Sequence, residues 1–309
     1  MKLPSEVLIE DEALRDGLQN EKREFTVAEK LCFVDALAEA GVGRIQVGSF
    51  VHPKRVPQMA NTDEVFAALL RKPGVTYSAL VLNMAGLERA LAAGVQHLSI
   101  SVSASETHSR KNANQSIADA LEGVKPIIAR ALAEGITVRG GIQSALGCGY
   151  EGAIPLARVC DIAAIYSDLG VQEINIADTA GLGNPKQVFE TVKAVGARVR
   201  PDVALSLHLH DTRGLGLANM LAGLQAGVAI YDAAVGGVGG CPFIPNASGN
   251  IATEDAAFAL DEMGVKTGLD WRKLSALALE LEGALGRTLP GRMAHVARSP
   301  DRRRGGPTR

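Results

Sequence analysis

The sequence predicts an α/β fold, a single (β/α)8 TIM barrel with additional C-terminal helices, on three observations. Eight short apolar or β-branched runs alternate with longer amphipathic patterns, glycines stand where several of those patterns should be capped, and no Pro/Ser-rich linker divides them. A doubly wound open sheet is the alternative that the same alternation permits.

The expected strands are Val7 to Glu10, Arg44 to Gly48, Thr76 to Leu82, His97 to Ser103, Ile136 to Gln143, Glu173 to Ala177, Val203 to His210 and Ala229 to Val235. Between them, segments such as Val27 to Ala40 and Ile117 to Ala133 carry the apolar spacing of a helix face, with Gly41, Gly94, Gly135, Gly170 and Gly227 at helix C-cap positions. Helical patterns continue from Ile251 to Gly286, beyond the eighth unit. Residues 1–297 are therefore expected to form one catalytic barrel domain with appended helices. The segment 298–309, with five arginines and one aspartate, reads as a solvated, disordered basic tail rather than a nucleic-acid arm.

Composition narrows the function classes. A chain of 309 residues that is 47% hydrophobic and 21% charged can bury an enzyme-sized core. Its formal net charge of -2 gives no general attraction to nucleic acid or anionic membranes, so the expected partners are small molecules. The first 25 residues are interrupted by charge and lack the apolar core of a secretion signal. No later run approaches the ~18 apolar residues of a membrane span, and a cytoplasmic location is expected. Cys32, Cys148, Cys160 and Cys241 form no CxxC pair and are expected to be thiols, with Cys32 and Cys160 as packing residues on amphipathic helices.

The chemistry-bearing residues fall where a barrel carries its active site, at the C-terminal ends of the strands. Leu205 to Asp211 alternates leucines with two histidines, so on a strand His208 and His210 share one face. Taken alone, such a pair is either half of a metal site or two core histidines satisfied by hydrogen bonds. Asp16 follows the first strand, and Asn250, beyond the eighth, offers a carbonyl oxygen. With the histidines they make a mixed N/O donor set for a divalent ion such as Mg²⁺, Mn²⁺, Co²⁺ or Zn²⁺. Arg15, beside Asp16, is either a charge-stabilising group or an ordinary ion pair. Asp178, after the sixth strand, is either a support for the site or a helix cap with Thr179. Asn83, Arg139 and Gln143 are expected near the same rim.

These residues also carry a resemblance. The blocks Arg15-Asp16-Gly17-Leu18-Gln19-Asn20-Glu21, Ser49-Phe50-Val51, Ala104-Ser105-Glu106 with Lys111-Asn112, Ala145-Leu146-Gly147-Cys148, His208-Leu209-His210-Asp211-Thr212 and Gly239-Gly240-Cys241-Pro242 to Asn250 resemble the hydroxymethylglutaryl-CoA lyase family, metal-dependent barrel lyases related to Claisen-type synthases. The resemblance runs from about Val7 to near Gly286. It implies retro-Claisen cleavage of a 3-hydroxyacyl-CoA, with 3-hydroxy-3-methylglutaryl-CoA as the first substrate. It assigns a divalent cation, Mg²⁺ or Mn²⁺ before Co²⁺ or Zn²⁺, to Asp16, His208, His210 and Asn250. It makes Arg15, Cys241 and Asp178 the catalytic set: Arg15 polarises the thioester carbonyl, Cys241 protonates the enolate, and Asp178 supports the ligands. Gln46, Ser49, Asn83, Ser105, Lys111, Asn112 and Arg139 are the expected contacts to substrate or CoA. A homo-oligomer, dimer or tetramer, fits as well as a monomer.

One departure stands out. Where the family carries a glutamate before an Ala-Thr-Ser-Phe block, this chain reads Gln46-Val47-Gly48-Ser49-Phe50. The change removes a charge beside Arg15, and the Thr-to-Gly change is expected to enlarge the pocket. Both point to a retuned substrate, such as citramalyl-CoA. A related metal-dependent aldolase or synthase, or a non-catalytic relative that keeps the metal, are the other readings.

Overall fold

The eight expected strands form in order and pair in order. In the computed structural model, which describes residues 2–241 and 244–298, they are β1 (Leu8–Asp11), β2 (Arg44–Ser49), β3 (Thr76–Val81), β4 (His97–Ser103), β5 (Thr137–Gln143), β6 (Glu173–Ala177), β7 (Ala204–His208) and β8 (Ile230–Ala233). Each runs parallel to the next, and β1 closes on β8 with Ile9 opposite Tyr231, which makes a closed barrel and excludes the open sheet.

The helices between them are α1 (Val27–Glu39), α2 (Thr62–Ala68), α3 (Met84–Ala92), α4 (Glu106–Ala113), α5 (Ile117–Ala133), α6 (Leu156–Asp168), α7 (Pro185–Gly196) and α8 (Gly216–Ala226). Local sequence starts and stops them. Thr26 and Glu29 close a reciprocal capping box on α1, and Gly227 caps α8 in the left-handed region at φ 102°. On α5, Leu121, Val124, Ile127, Ile128 and Ala131 repeat at three- and four-residue spacing and bury one face. Burying each such Leu, Ile or Val is worth ~1.5–3 kcal/mol, so the apolar stripe rather than intrinsic propensity holds the helix to the barrel.

Beyond the barrel, a two-stranded hairpin of β9 (Gly240–Cys241) and β10 (Ile244–Ser248) precedes α9 (Thr253–Glu262), α10 (Trp271–Leu285) and α11 (Arg292–Arg298). These are the appended helices, α11 reaching one residue past the expected boundary. The rest of the expected tail, 299–309, lies outside the described residues. No described helix is long and apolar enough to cross a membrane.

β3 ends one residue earlier than expected, at Val81, and β7 and β8 two residues earlier, and the last two ends shape the site. β7 stops at His208, after which Leu209 and Asp211 bond to the chain returning from the hairpin: Asp211 N to Gly249 O at 2.7 Å and Ile251 N to Leu209 O at 3.1 Å. β8 stops at Ala233 and gives way to a tight turn in which Gly236 takes φ 71°.

The barrel interior departs from the branched apolar filling usual for this architecture. Glu10, Arg44, Ser78, His97, Ser99, Arg139, Glu173, Asn175, Ser206 and Asp232 are all buried. Arg139 donates to Glu10 and Asp232 at 2.8 and 2.7 Å and to Ser99 at 2.9 Å, and Arg44 makes a two-pronged pair with Glu173 at 2.8 and 3.1 Å. Charges removed from water survive only when paired and hydrogen-bonded in this way.

Candidate active site and metal centre

His208 and His210 share one wall, as their spacing predicts. Their ring centroids are 5.0 Å apart and their Nε2 atoms face one another at 3.0 Å. His210 lies beyond the end of β7, and its bridge to Asn250 brings that residue beside it. On the opposite side, Ala13–Gly17 forms a wide helical turn immediately after β1 that projects Arg15 and Asp16 toward the histidines. Asp16 Oδ2 lies 3.9 Å from His210 Nε2 and accepts from Asn250 Nδ2 at 2.9 Å. Four residues from three distant parts of the chain thus meet at one end of the barrel.

The geometry fits a cation. Ligand atoms of Asp16, His208 and His210 lie within 4.8 Å of one another. Asn250 Oδ1 is buried without a hydrogen-bond partner, an arrangement that costs free energy unless something fills it. His208 Nδ1 lies 3.3 Å from Asp232 and 3.4 Å from Glu12. Carboxylates only accept, so Nδ1 carries a proton and Nε2 is the nitrogen turned toward His210, the arrangement in which a carboxylate orients a metal-binding histidine. Around the site, the five carboxylates of Glu10, Glu12, Asp16, Glu173 and Asp232 meet the three guanidiniums of Arg15, Arg44 and Arg139, and Glu12 and Asp232 also face His208.

The titrating groups reflect this field. Burial disfavours the charged form of His208, but hydrogen bonds to Asp232 and Glu12 overcome it and raise the group to about 10. Burial and the neighbouring His208 push His210 down to about 4. Burial would raise Asp16 and Glu12, yet Arg15 holds both below the ordinary carboxylate range.

Arg15 is held on three sides. Nε donates to Gln46 Oε1, one terminal nitrogen donates to Asp16 Oδ1 at 2.5 Å, and the other to Glu12 Oε2. The neck of the hairpin is pinched over this cluster. Gly239 takes φ 123°, and a Cβ there would sit 2.7 Å from Asn250 Nδ2; a Cβ on Gly249 would meet Gly239's carbonyl carbon at 2.8 Å. Glycine is required at Gly239 both for its backbone angle and for this close approach.

Several expected contacts stand elsewhere. Gln46 and Arg139 are enclosed in the barrel interior: Gln46 Nε2 donates to Glu12 at 2.9 Å, and Arg139 pairs with acidic partners, so both brace the rim from below. Ser105 is buried as the N-cap of α4, accepting from His108 N, and Asn83 caps α3 through Gly86 N. Asp178 is occupied with its own loop: Oδ1 accepts from Leu182 N at 2.9 Å and Oδ2 from Gly183 N at 3.0 Å. Ser49 ends β2 with its buried hydroxyl unpartnered, and Lys111 and Asn112 are exposed on α4, Lys111 lying 4.4 Å over the Tyr150 ring. Cys241 ends β9; its side chain lies outside what is described. Cys32 is exposed rather than packed.

Gly48 does not open the pocket. A Cβ on it would meet Thr62 Oγ1 of α2 at 2.7 Å, so the missing side chain is filled from the helix layer. The pairing of β2 with β3 shifts register between Gln46 and Gly48, which turns Gly48 outward. Sequence reasoning missed Glu12 and Asp232. Glu12 ends a run of three consecutive acids and Asp232 is one acid inside the apolar eighth strand, and neither position by itself marks a buried charge.

The model of the family described as HMGL-like matches residues 6–279. The chain belongs to the HMGL-like family. The hydroxymethylglutaryl-CoA lyase of Bacillus subtilis has a solved structure that superposes with a TM-score of 0.93 at 38% identity, covering 97% of this chain and 100% of that one. A Pseudomonas aeruginosa 3-hydroxy-3-isohexenylglutaryl-CoA/hydroxymethylglutaryl-CoA lyase is 41% identical over 294 residues, 95% of this chain and 98% of its own. An HMG-CoA lyase from Acinetobacter baumannii, solved with coenzyme A and 3-methylmalate, superposes at 0.91 with 36% identity, over 97% and 98% of the two chains. Each of these matches to HMGL-like relatives runs over nearly the whole of both chains.

Proposed function

We propose that this chain is a carbon–carbon lyase that cleaves 3-hydroxy-3-methylglutaryl-CoA to acetyl-CoA and acetoacetate. The observation that carries the reading is the convergence of Asp16, His208, His210 and Asn250 beside Arg15 at the mouth of the barrel, in a chain about 40% identical to lyases of that name over almost its whole length.

In the reaction the 3-hydroxyl loses its proton, the C2–C3 bond breaks, C3 becomes the ketone of acetoacetate, and the electron pair passes to the thioester half as an enolate that is protonated at C2. Asp16, His208, His210 and Asn250 would hold a divalent cation, Mg²⁺ or Mn²⁺, which would supply Lewis acidity toward the hydroxyl. Arg15 does the electrostatic work at the other end of the breaking bond. Its guanidinium is fixed before the substrate arrives, so it stabilises enolate charge without reorganising. Asp232 and Glu12 hold His208 in the tautomer that presents Nε2. Asp178 shapes the loop after β6. Protonation of the enolate is assigned to Cys241 on the family resemblance alone. Lys111 and Asn112, exposed after β4, are the proposed contacts to the CoA portion.

The two grounds for a retuned substrate lose force. The charge expected at position 46 is present on Glu12, and the space at Gly48 is filled by Thr62. The test is incubation with Mg²⁺ or Mn²⁺ and a panel of hydroxymethylglutaryl-CoA, its 3-isohexenyl analogue and citramalyl-CoA, with products read by mass spectrometry. The reading expects hydroxymethylglutaryl-CoA to be cleaved, with loss on chelation and recovery on metal return. Cleavage of citramalyl-CoA alone would replace the substrate, and cleavage of none would end the proposal.

A further inference from the structure

Among the buried groups beneath the rim, Glu12 has the most demanding position. It lies directly after β1, is fully enclosed, and both of its oxygens are engaged by cationic or amide donors. Oε2 takes a terminal nitrogen of Arg15 and lies 3.4 Å from His208 Nδ1; Oε1 accepts from Arg139 at 2.7 Å and from Gln46 Nε2 at 2.9 Å. Gln46 then passes its own Oε1 to Arg15 Nε. Arg15 is thus gripped at two edges by residues of neighbouring strands, one charged and one neutral, that are hydrogen-bonded to each other.

We propose that Glu12 is the positioning residue for Arg15, and that the Glu12–Gln46 pair carries a single negative charge that either strand can supply. Glu12 fixes the plane of the guanidinium, and Gln46 is the neutral member, its Nε2 donating to Glu12 at 2.9 Å and also reaching Glu10 and Ser99 at 3.3 Å. Two carboxylates at these positions would repel in a dry interior, and two amides would leave Arg15 with Asp16 as its one charged partner and Arg139 without a charged acceptor on this side. One acid and one amide is the combination that satisfies every donor. The charge is interchangeable because Gln46 already touches Arg15 with the atom that a carboxylate would use. This inference rests on the proposed lyase reading for its kinetic half and on the geometry alone for its stability half.

The test compares the wild-type protein with Glu12→Gln, Gln46→Glu and the exchanged double variant Glu12→Gln/Gln46→Glu. Three quantities are read: the thermal midpoint, Mn²⁺ affinity by calorimetry, and kcat and KM on hydroxymethylglutaryl-CoA. Glu12→Gln should lower the midpoint by ~5 °C or more. It should lower kcat by roughly 10²-fold with KM within about threefold. Mn²⁺ affinity should fall no more than about tenfold, because Asp232 still holds His208. The exchanged double variant should recover most of the midpoint and at least tenfold in kcat, while Gln46→Glu alone should be less stable than wild type. A Glu12→Gln variant within threefold of wild-type kcat would overturn the positioning role. A double variant no more stable or active than Glu12→Gln would overturn the exchange, and that comparison holds even where Glu12→Gln alone does not fold. If wild-type protein cleaves no acyl-CoA, the lyase reading fails, and the midpoints still judge the exchange.

Discussion

Asp232 lies 3.3 Å from His208 Nδ1, and on the other edge of the same ring Nε2 faces His210 Nε2 at 3.0 Å. The last charged residue of β8 therefore decides which face of a β7 histidine is available to a cation. Such a carboxylate contributes to metal affinity without touching the metal. Asp232→Asn should weaken Mn²⁺ binding by ~10- to 100-fold while preserving the far-ultraviolet circular dichroism spectrum. Equal Mn²⁺ affinity in calorimetry would remove Asp232 from the centre.

Gly239 holds the hairpin neck against Asn250. Any side chain at its φ of 123° is strained, and the new Cβ would meet Asn250 Nδ2 at 2.7 Å. Gly239→Ala should displace Asn250 from Asp16 and reduce Mn²⁺ affinity at least ~10-fold. Gly240→Ala is the control, since nothing lies within 4 Å of a Cβ there. Indistinguishable affinities in the two variants would show that the neck does not position the ligand.

Arg15 supplies the third expectation. Lysine keeps the charge but not the planar fork that meets Gln46, Asp16 and Glu12 together. Arg15→Lys should lower kcat by roughly 10²-fold and leave the thermal midpoint within a few degrees. Near wild-type turnover would take Arg15 out of the chemistry.

The pH dependence of stability is set in part behind the barrel. Burial raises Glu254 to about 8; its Oε2 accepts from Gly236 N at 3.0 Å and its Oε1 has no partner. The folded form thus holds a proton that the unfolded chain releases near 4.5, so the stability this group contributes is fully present below that value and is lost as pH rises through about 8. Asp11, raised by burial to about 6, adds the same sign at lower pH. The thermal midpoint should fall on the order of 5–10 °C between pH 5 and pH 8, and Glu254→Gln should flatten that slope. Parallel curves for the two proteins would contradict the assignment.

The barrel was legible because parallel strands between helices impose a rhythm that composition cannot hide. The histidine pair was legible because a strand sends alternate residues to one side, and Asp16 because it follows the first strand directly. The support beneath them was not. Glu12, Asp232 and Arg139 are charged, and a charged residue in a sequence looks the same whether it faces water or lies paired inside a barrel. Gly48 was misjudged for a geometric reason: an irregularity in β2 pairing reverses which side a residue faces, and no local pattern marks it. Ser105 and Asn83 each precede a helix, and their capping role was readable from that position.

The central claim is that this site breaks a carbon–carbon bond rather than the thioester, and product stoichiometry tests it most directly. Mn²⁺-loaded protein is incubated with hydroxymethylglutaryl-CoA, and acetyl-CoA, acetoacetate and free CoA are quantified together, with Arg15→Lys in parallel. The account predicts acetyl-CoA and acetoacetate in equal amounts, no free CoA, and the same products at a rate lower by roughly 10² in the variant. Release of free CoA with intact hydroxymethylglutarate, or unchanged substrate, would contradict it.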